Sequence, residues 1–125
     1  MLNNAGKSRA INAANTLALF STNPGVGDTA AGTELSDAPY ARQAAVFNAG
    51  VDNEGVSEAL LNADVVFDLH LTNNQNVQFI GLFEDTTYLG YIVPSAPRNF
   101  TGEASPTRSF TVKATTTKIT AANQA

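Results

Sequence analysis

The chain has 125 residues, of which 43% are hydrophobic and only 14% charged, against roughly a quarter charged in an ordinary soluble protein. One domain is expected at this length, and the apolar share is too high for a disordered tail. Cysteine and tryptophan are absent and His70 is the sole histidine. That excludes disulfides, a thiol nucleophile and any single-chain metal site needing two imidazoles.

Net charge is −4, and the acidic balance argues against a nucleic-acid partner, which leaves a basic footprint. No run approaches the ~18 apolar residues of a membrane helix, so no membrane partner is expected either. Met1–Arg9 is polar with no apolar stretch after it, which does not read as a signal peptide. Charge is unevenly spread. Lys7 and Arg9 make residues 1–15 basic, residues 28–68 carry eight acids against Arg42, and residues 98–125 are basic again. Such a distribution suits a solvated surface, or a protomer whose basic end meets an acidic neighbour.

Residues 3–15 are Ala-rich, and Asn3 or Asn4 can cap a short helix there. The expected division is an N-terminal anchoring segment over 1–15 and a single β-sandwich domain over 16–125. Leu17–Phe20 reads as a buried strand. It is stopped by Asn23-Pro24-Gly25, where Pro fixes φ and Gly supplies a positive one. The stretch to Pro39 has no apolar periodicity and reads as a long loop. Tyr40–Phe47 reads as a strand, Asn48–Gly55 as a turn region, and Ser57–Ala63 as one helical turn or an irregular crossover.

Asp64–Thr72 alternates most clearly, with Val65, Phe67, Leu69 and Leu71 on one face. Asn73–Asn76 is a polar turn. Val77–Phe83 and Tyr88–Val93 then flank Glu84–Thr87 as a hairpin with a four-residue connection. Both strands are apolar on both faces, so Ile80, Leu82, Leu89 and Tyr91 are expected to need a second cover, and a neighbouring protomer is the favoured one. Pro94–Pro106 reads as a second loop, Ser109–Ala114 as a strand, and Thr115–Thr120 as β-prone. About seven strands without αβ alternation imply a mainly β fold, an antiparallel β-sandwich or jelly roll with a short N-terminal helix.

No motif for chemistry is complete. Gly6-Lys7-Ser8 imitates the end of a phosphate loop, but Met1 stands where its first Gly belongs. Asp68 and His70 share a strand face without a nucleophile elbow. Asp52-Asn53-Glu54-Gly55 fails the calcium-loop spacing, and Asn99-Phe100-Thr101 is an isolated sequon. No catalytic residue, metal site or cofactor is expected. The best anchor residues are Tyr40 and Arg42, types enriched at interface hot spots, with Lys7 and Arg9 as basic contacts.

Three segments carry a family resemblance. Leu2-Asn3-Asn4-Ala5-Gly6-Lys7 opens the chain. Leu17-Ala18-Leu19-Phe20-Ser21-Thr22-Asn23-Pro24-Gly25 leads through Gly32-Thr33-Glu34-Leu35-Ser36 into Tyr40-Ala41-Arg42-Gln43. Gly81-Leu82-Phe83 precedes the Tyr88-Leu89-Gly90 strand. This order resembles small tailed-bacteriophage virion proteins of the tail-fibre-like, minor tail and head-decoration kinds, although Asp37-Ala38-Pro39 replaces a Gly-rich approach to the Tyr. The resemblance implies a virion structural component with a β-sandwich fold, in head or tail alike. The missing catalytic constellations make it non-catalytic, and a compact single domain without fibrous repeats places a capsid decoration or head-fibre base protein ahead of a tail fibre, minor tail or carbohydrate-binding module. The implied partners are the major capsid protein or tail proteins of the same particle, and further copies of the chain, most simply as a trimer.

Overall fold

A computed structural model describes residues 12–25, 27–48, 51–53, 56–94, 96–101, 107–114 and 117–122. Eleven short strands lie among them: β1 (Thr16–Phe20), β2 (Gln43–Ala44), β3 (Val51–Asn53), β4 (Val56–Leu60), β5 (Val65–Asp68), β6 (Gln75–Val77), β7 (Phe79–Glu84), β8 (Thr87–Ile92), β9 (Arg98–Phe100), β10 (Ser109–Val112) and β11 (Lys118–Ala122). Every pairing is antiparallel. The strands form a four-stranded sheet in the order β2-β1-β7-β8, a three-stranded sheet β11-β4-β3, and the pairs β10-β5 and β6-β9. The expected antiparallel β-sandwich class is what forms.

The two central strands of the four-stranded sheet are buried on both faces because β1 from Leu17 to Phe20 and β7 from Ile80 to Phe83 carry no polar side chain. Leu17 pairs with Leu82 and Leu19 with Ile80, and this face enters the main core. There it meets Val65, Phe67 and Leu69 from β5 and its extension, Phe110 and Val112 from β10, and Val77 and Phe100 from the β6-β9 pair. On the opposite face Ala18 and Phe20 gather with Phe83 and Tyr88 in a second, smaller cluster. Gly81 is required between the two. A Cβ there would lie 2.6 Å from the Phe20 ring, which crosses the β7 backbone at that point.

The hairpin differs from its sequence reading in a way that decides which residues reach the surface. Glu84 pairs with Thr87, so the turn is the two residues Asp85 and Thr86 rather than four. Asp85 takes φ 55°, at the first central position where short hairpins favour a positive value. The Asn15 side chain clamps it, accepting from the Asp85 N–H at 2.8 Å and donating to its carboxylate at 3.1 Å. A bulge follows: Leu82 faces Gly90 and Phe83 faces Tyr88, which leaves Leu89 as the extra residue. The faces of β8 are therefore offset from a simple period of two. Ile80 and Leu82 are covered by the chain's own core, and Leu89, 44% exposed, is not on their face.

Other segments also depart from expectation. Ser57–Ala63 holds strand rather than a helical turn, because β4 is sandwiched between β3 and β11 and their ladders outweigh local preference. Tyr40–Phe47 forms strand only at β2, with an isolated bridge from Phe47 to Leu61. The Asn48–Gly55 turn region contains β3, the Asn73–Asn76 turn runs into β6, and the loop after Pro94 contains β9. The Asp64–Thr72 strand stops at Asp68, so Leu71 leaves the stripe and is 40% exposed. Most of the expected N-terminal helix lies outside the described residues. Of its described part only Asn12 is helical.

Phe67 sits at the centre of the main core, fully buried, with the Tyr40 ring stacked on it at 6.1 Å. Phe67→Ala is expected to cost about 3–5 kcal/mol in denaturant unfolding. Val66→Ala, one residue away on the solvent face, is expected to cost less than about 1 kcal/mol. Equal losses at the two positions would show that the β5 faces are misassigned.

Candidate interaction site

The loop after β1 does not hang free; it folds back along the strand it leaves. The Ser21 N–H donates to the Thr33 carbonyl at 2.9 Å and the Leu35 N–H to the Leu19 carbonyl at 3.0 Å, with a bridge between Phe20 and Glu34. Two residues permit the close return. The Asn23 side chain accepts from the Gly25 N–H at 2.8 Å, and Gly25 turns at φ 79°. At Gly32 a Cβ would collide with the backbone of Thr22 and Asn23. The Tyr88 hydroxyl donates to the Gly25 carbonyl and pins the turn to β8.

Tyr40, Glu34 and Arg42 close this loop into one unit. β2 covers β1 only at Thr16 and Leu17, so the Leu19 N–H has no strand partner there. The Tyr40 hydroxyl accepts from it at 2.9 Å and donates to the Glu34 carboxylate at 2.7 Å. Arg42 grips the same carboxylate with two N–H groups, at 3.0 and 2.8 Å. Its guanidinium also lies 4.0 Å above the Phe83 ring, a favourable cation–π geometry.

The electrostatics follow from that packing. Burial pushes the Glu34 carboxyl up, but the Arg42 and Tyr40 hydrogen bonds and the Arg42 charge outweigh it and hold the group below its ordinary value. Burial, reinforced by the neighbouring Glu34 charge, raises the Tyr40 phenol. The hydrogen bonds to Glu34 raise the Arg42 guanidinium. All three groups stay in their ordinary ionisation states at neutral pH, so the cluster is a fixed polar tie. A cleft of about 480 Å³ lies beside it, bordered by Asp28, Glu34, Arg42 and Thr87. Its aromatic residues, Phe20, Phe83 and Tyr88, are buried, and Arg42 covers the Phe83 face.

Of the residues singled out in the sequence, the structure brings Tyr40 and Arg42 together on the Glu34 carboxylate and leaves the other described ones apart from them. Tyr40 and Arg42 are engaged within the chain, Arg42 with part of its side chain exposed. Ile80 and Leu82 are 2% and 6% exposed, which removes them from any outer surface of this chain. Leu89 is exposed, and Tyr91 is half-buried with its ring edge-to-face against Phe79 at 5.6 Å. Lys7 and Arg9 lie outside the described residues.

His70 belongs to a turn and not to an Asp68 pair. Its Nδ1 accepts from the N–H groups of Thr72 and Asn73, at 3.2 and 3.1 Å. Gln75, buried, bridges the same turn by accepting from the His70 N–H and donating to the His70 and Asn73 carbonyls. Arg108, also buried, donates to the Asn73 carbonyl at 2.7 Å. Sequence reasoning missed Glu34, Gln75 and Arg108. For Glu34 the signal in the sequence is its place among the three acids, Asp28, Glu34 and Asp37, of the loop that leads into Tyr40 and Arg42.

The chain belongs to the family described as podophage GP4 fiber I protein gp80, which matches residues 1–120. It is accordingly a structural, fibre-like component of a phage virion, as its sequence resemblance implied. No curated protein and no solved structure gives a match.

Because Glu34 has a folded pKa below its unfolded value, its contribution is present above the ordinary carboxylate range and is lost as pH falls through the folded value. Glu34→Gln is expected to lower stability by about 1 kcal/mol at pH 7, a hydrogen-bond contribution discounted for partial exposure. Thermal unfolding as a function of pH should show the gap between wild type and variant closing on acidification below pH 4.5, the ordinary value. A gap that stays constant into strong acid would contradict the tie.

Proposed function

We propose that the chain is a non-catalytic subunit of a virion fibre, acting at the base or attachment part of that fibre. The observation that carries this reading is the match to a fibre protein family along nearly the whole chain. The fold supports it. Its polar side chains are spent on tying loops to strands, as Tyr40, Glu34, Arg42, Gln75 and His70 all are. Compact sandwich geometry without sequence repeats suits an attachment part better than a shaft. It suits a capsid decoration protein equally, which keeps that as the second reading.

A carbohydrate-binding module is the weaker alternative. Sugar platforms need an open aromatic face, and the cleft beside Glu34 offers none among the described residues. Contacts with capsid or tail proteins and with further copies of the chain are non-covalent in this reading, since the chain has no cysteine. The basic residues Lys7 and Arg9 and the segment around them serve as the anchor. Ala14 is buried in the main core and Asn15 is bonded to Phe83, Ala45 and Asp85, so both belong to the sandwich and the anchor ends before Ala14.

Gold labelling of this chain on intact virions tests the location. Label concentrated where fibres join the particle is the expected result, and uniform label over the capsid faces would favour decoration instead. Removing residues 1–11 is expected to leave the unfolding midpoint within a few degrees of wild type while abolishing incorporation into particles. Normal incorporation of the truncated chain would refute the anchor.

A further inference from the structure

A groove of about 470 Å³ runs beside β10, between that strand and the end of β8. Its apolar lining is the partly exposed Ile92 and Val93 over the buried Ile80, Phe110 and Val112, and its charged lining residues are Arg98 and Lys113, the latter also in a loose, solvent-exposed ion pair with Asp64 at 3.6 Å. Residues Ser109 to Lys113 all line it consecutively. Consecutive residues of a strand point to opposite faces, so it is the edge of β10 that borders the groove.

The ladder fixes which backbone groups face it. The Leu69 N–H donates to the Arg108 carbonyl at 2.9 Å, and the register continues Ser109 with Asp68, Phe110 with Phe67, Thr111 with Val66 and Val112 with Val65. Hydrogen-bonded and non-bonded pairs alternate in an antiparallel ladder. Phe110 and Val112 therefore spend their N–H and C=O groups on β5, while those of Ser109 and Thr111 point away from it. Among the described residues β10 pairs with β5 alone. The Ser-Phe-Thr-Val edge carries no proline and no bulge, the usual devices that block strand addition.

We propose that this edge accepts a strand from a second copy of the chain, and that the strand is β3 with the acidic residues around it. The inference rests on the fibre reading above, in which copies of the chain contact one another. Charge complementarity selects β3. It is one of the two outer strands of the β11-β4-β3 sheet among the described residues, and the sequence from Val51 to Glu58 contains Asp52, Glu54 and Glu58 with no basic residue, whereas the other outer strand, β11, begins at Lys118 and contains no acid. Pairing of β10 with its own copy would instead bring the Arg98 and Lys113 of both copies to one seam with no acid on the incoming strand. A β3-to-β10 contact uses two different surfaces, so each copy offers one of each and the contact propagates into a closed ring or a filament.

Sedimentation of the purified full chain over a concentration series tests this without reference to virions, so its outcome is independent of where the protein sits on the particle. The wild type is expected to self-associate. Thr111→Pro removes an N–H that β5 does not use and places a ring on the open edge; it is expected to weaken association at least about tenfold. Thr111→Val keeps the N–H and should associate as wild type. Lys113→Glu should weaken association about threefold to tenfold, as an opposite-charge cross-strand pair becomes a like-charge one. Adding Asp52→Lys to it should restore the wild-type value. Should Thr111→Pro fail to fold by circular dichroism, the charge exchange decides alone. A wild-type monomer throughout the series, Thr111→Pro that associates normally, or a charge exchange without rescue would each overturn the proposal, the last in favour of β10 self-pairing or another partner.

Discussion

A strand buried on both faces has no water to fall back on, and β1 is such a strand. Leu17, Ala18 and Leu19 have no exposed surface and Phe20 has almost none. Each backbone N–H and C=O of β1 therefore needs a protein partner, since an orphaned buried group costs about 1–3 kcal/mol. β7 supplies one side along the whole strand, but on the other side β2 reaches only Thr16 and Leu17. The remaining half is completed by the returning loop, with the Leu35 N–H on the Leu19 carbonyl and the Tyr40 hydroxyl on the Leu19 N–H.

That substitution of a side chain for a strand organises the neighbouring structure. Tyr40 must lie across the core to reach Leu19, so its ring stacks on Phe67 and joins the two layers. Its hydroxyl then has a proton to give, and Glu34 takes it. Glu34 in turn needs a cation, and Arg42 provides one while shielding Phe83. A loop of about twenty residues becomes a fixed surface, as a virion part that must present the same face in every copy requires. The bulge at Leu89 acts on the hairpin in the same spirit: it lets Phe83 and Tyr88 share a face and leaves one apolar side chain outside.

What the sequence disclosed was the material that follows a period. Leu17–Phe20, the Val65/Phe67/Leu69 stripe and the Val77–Val93 hairpin were legible because burial imposes alternation or a continuous apolar run. Short strands such as β3, β6 and β9 were not, because three residues cannot display a period and their state is set by partners far along the chain. The split of Ile80 and Leu82 from Leu89 and Tyr91 was hidden for a related reason: one inserted residue reverses the face of every position after it. Tyr40 and Arg42 stood out by residue type, but the chemistry that suits them to an interface with a neighbour suits them equally to a contact within the chain. Only the position of Glu34 decides between the two.

The completion of β1 by Tyr40 is most directly tested by amide hydrogen exchange at Leu19, under native conditions, in wild type and Tyr40→Phe. The phenylalanine keeps the ring on Phe67 and deletes only the hydroxyl. Exchange of the Leu19 amide is predicted to be slow in wild type and to accelerate selectively in the variant, with the β7 amides opposite much less affected. Unchanged protection at Leu19, or equal acceleration across β1 and β7, would contradict the account.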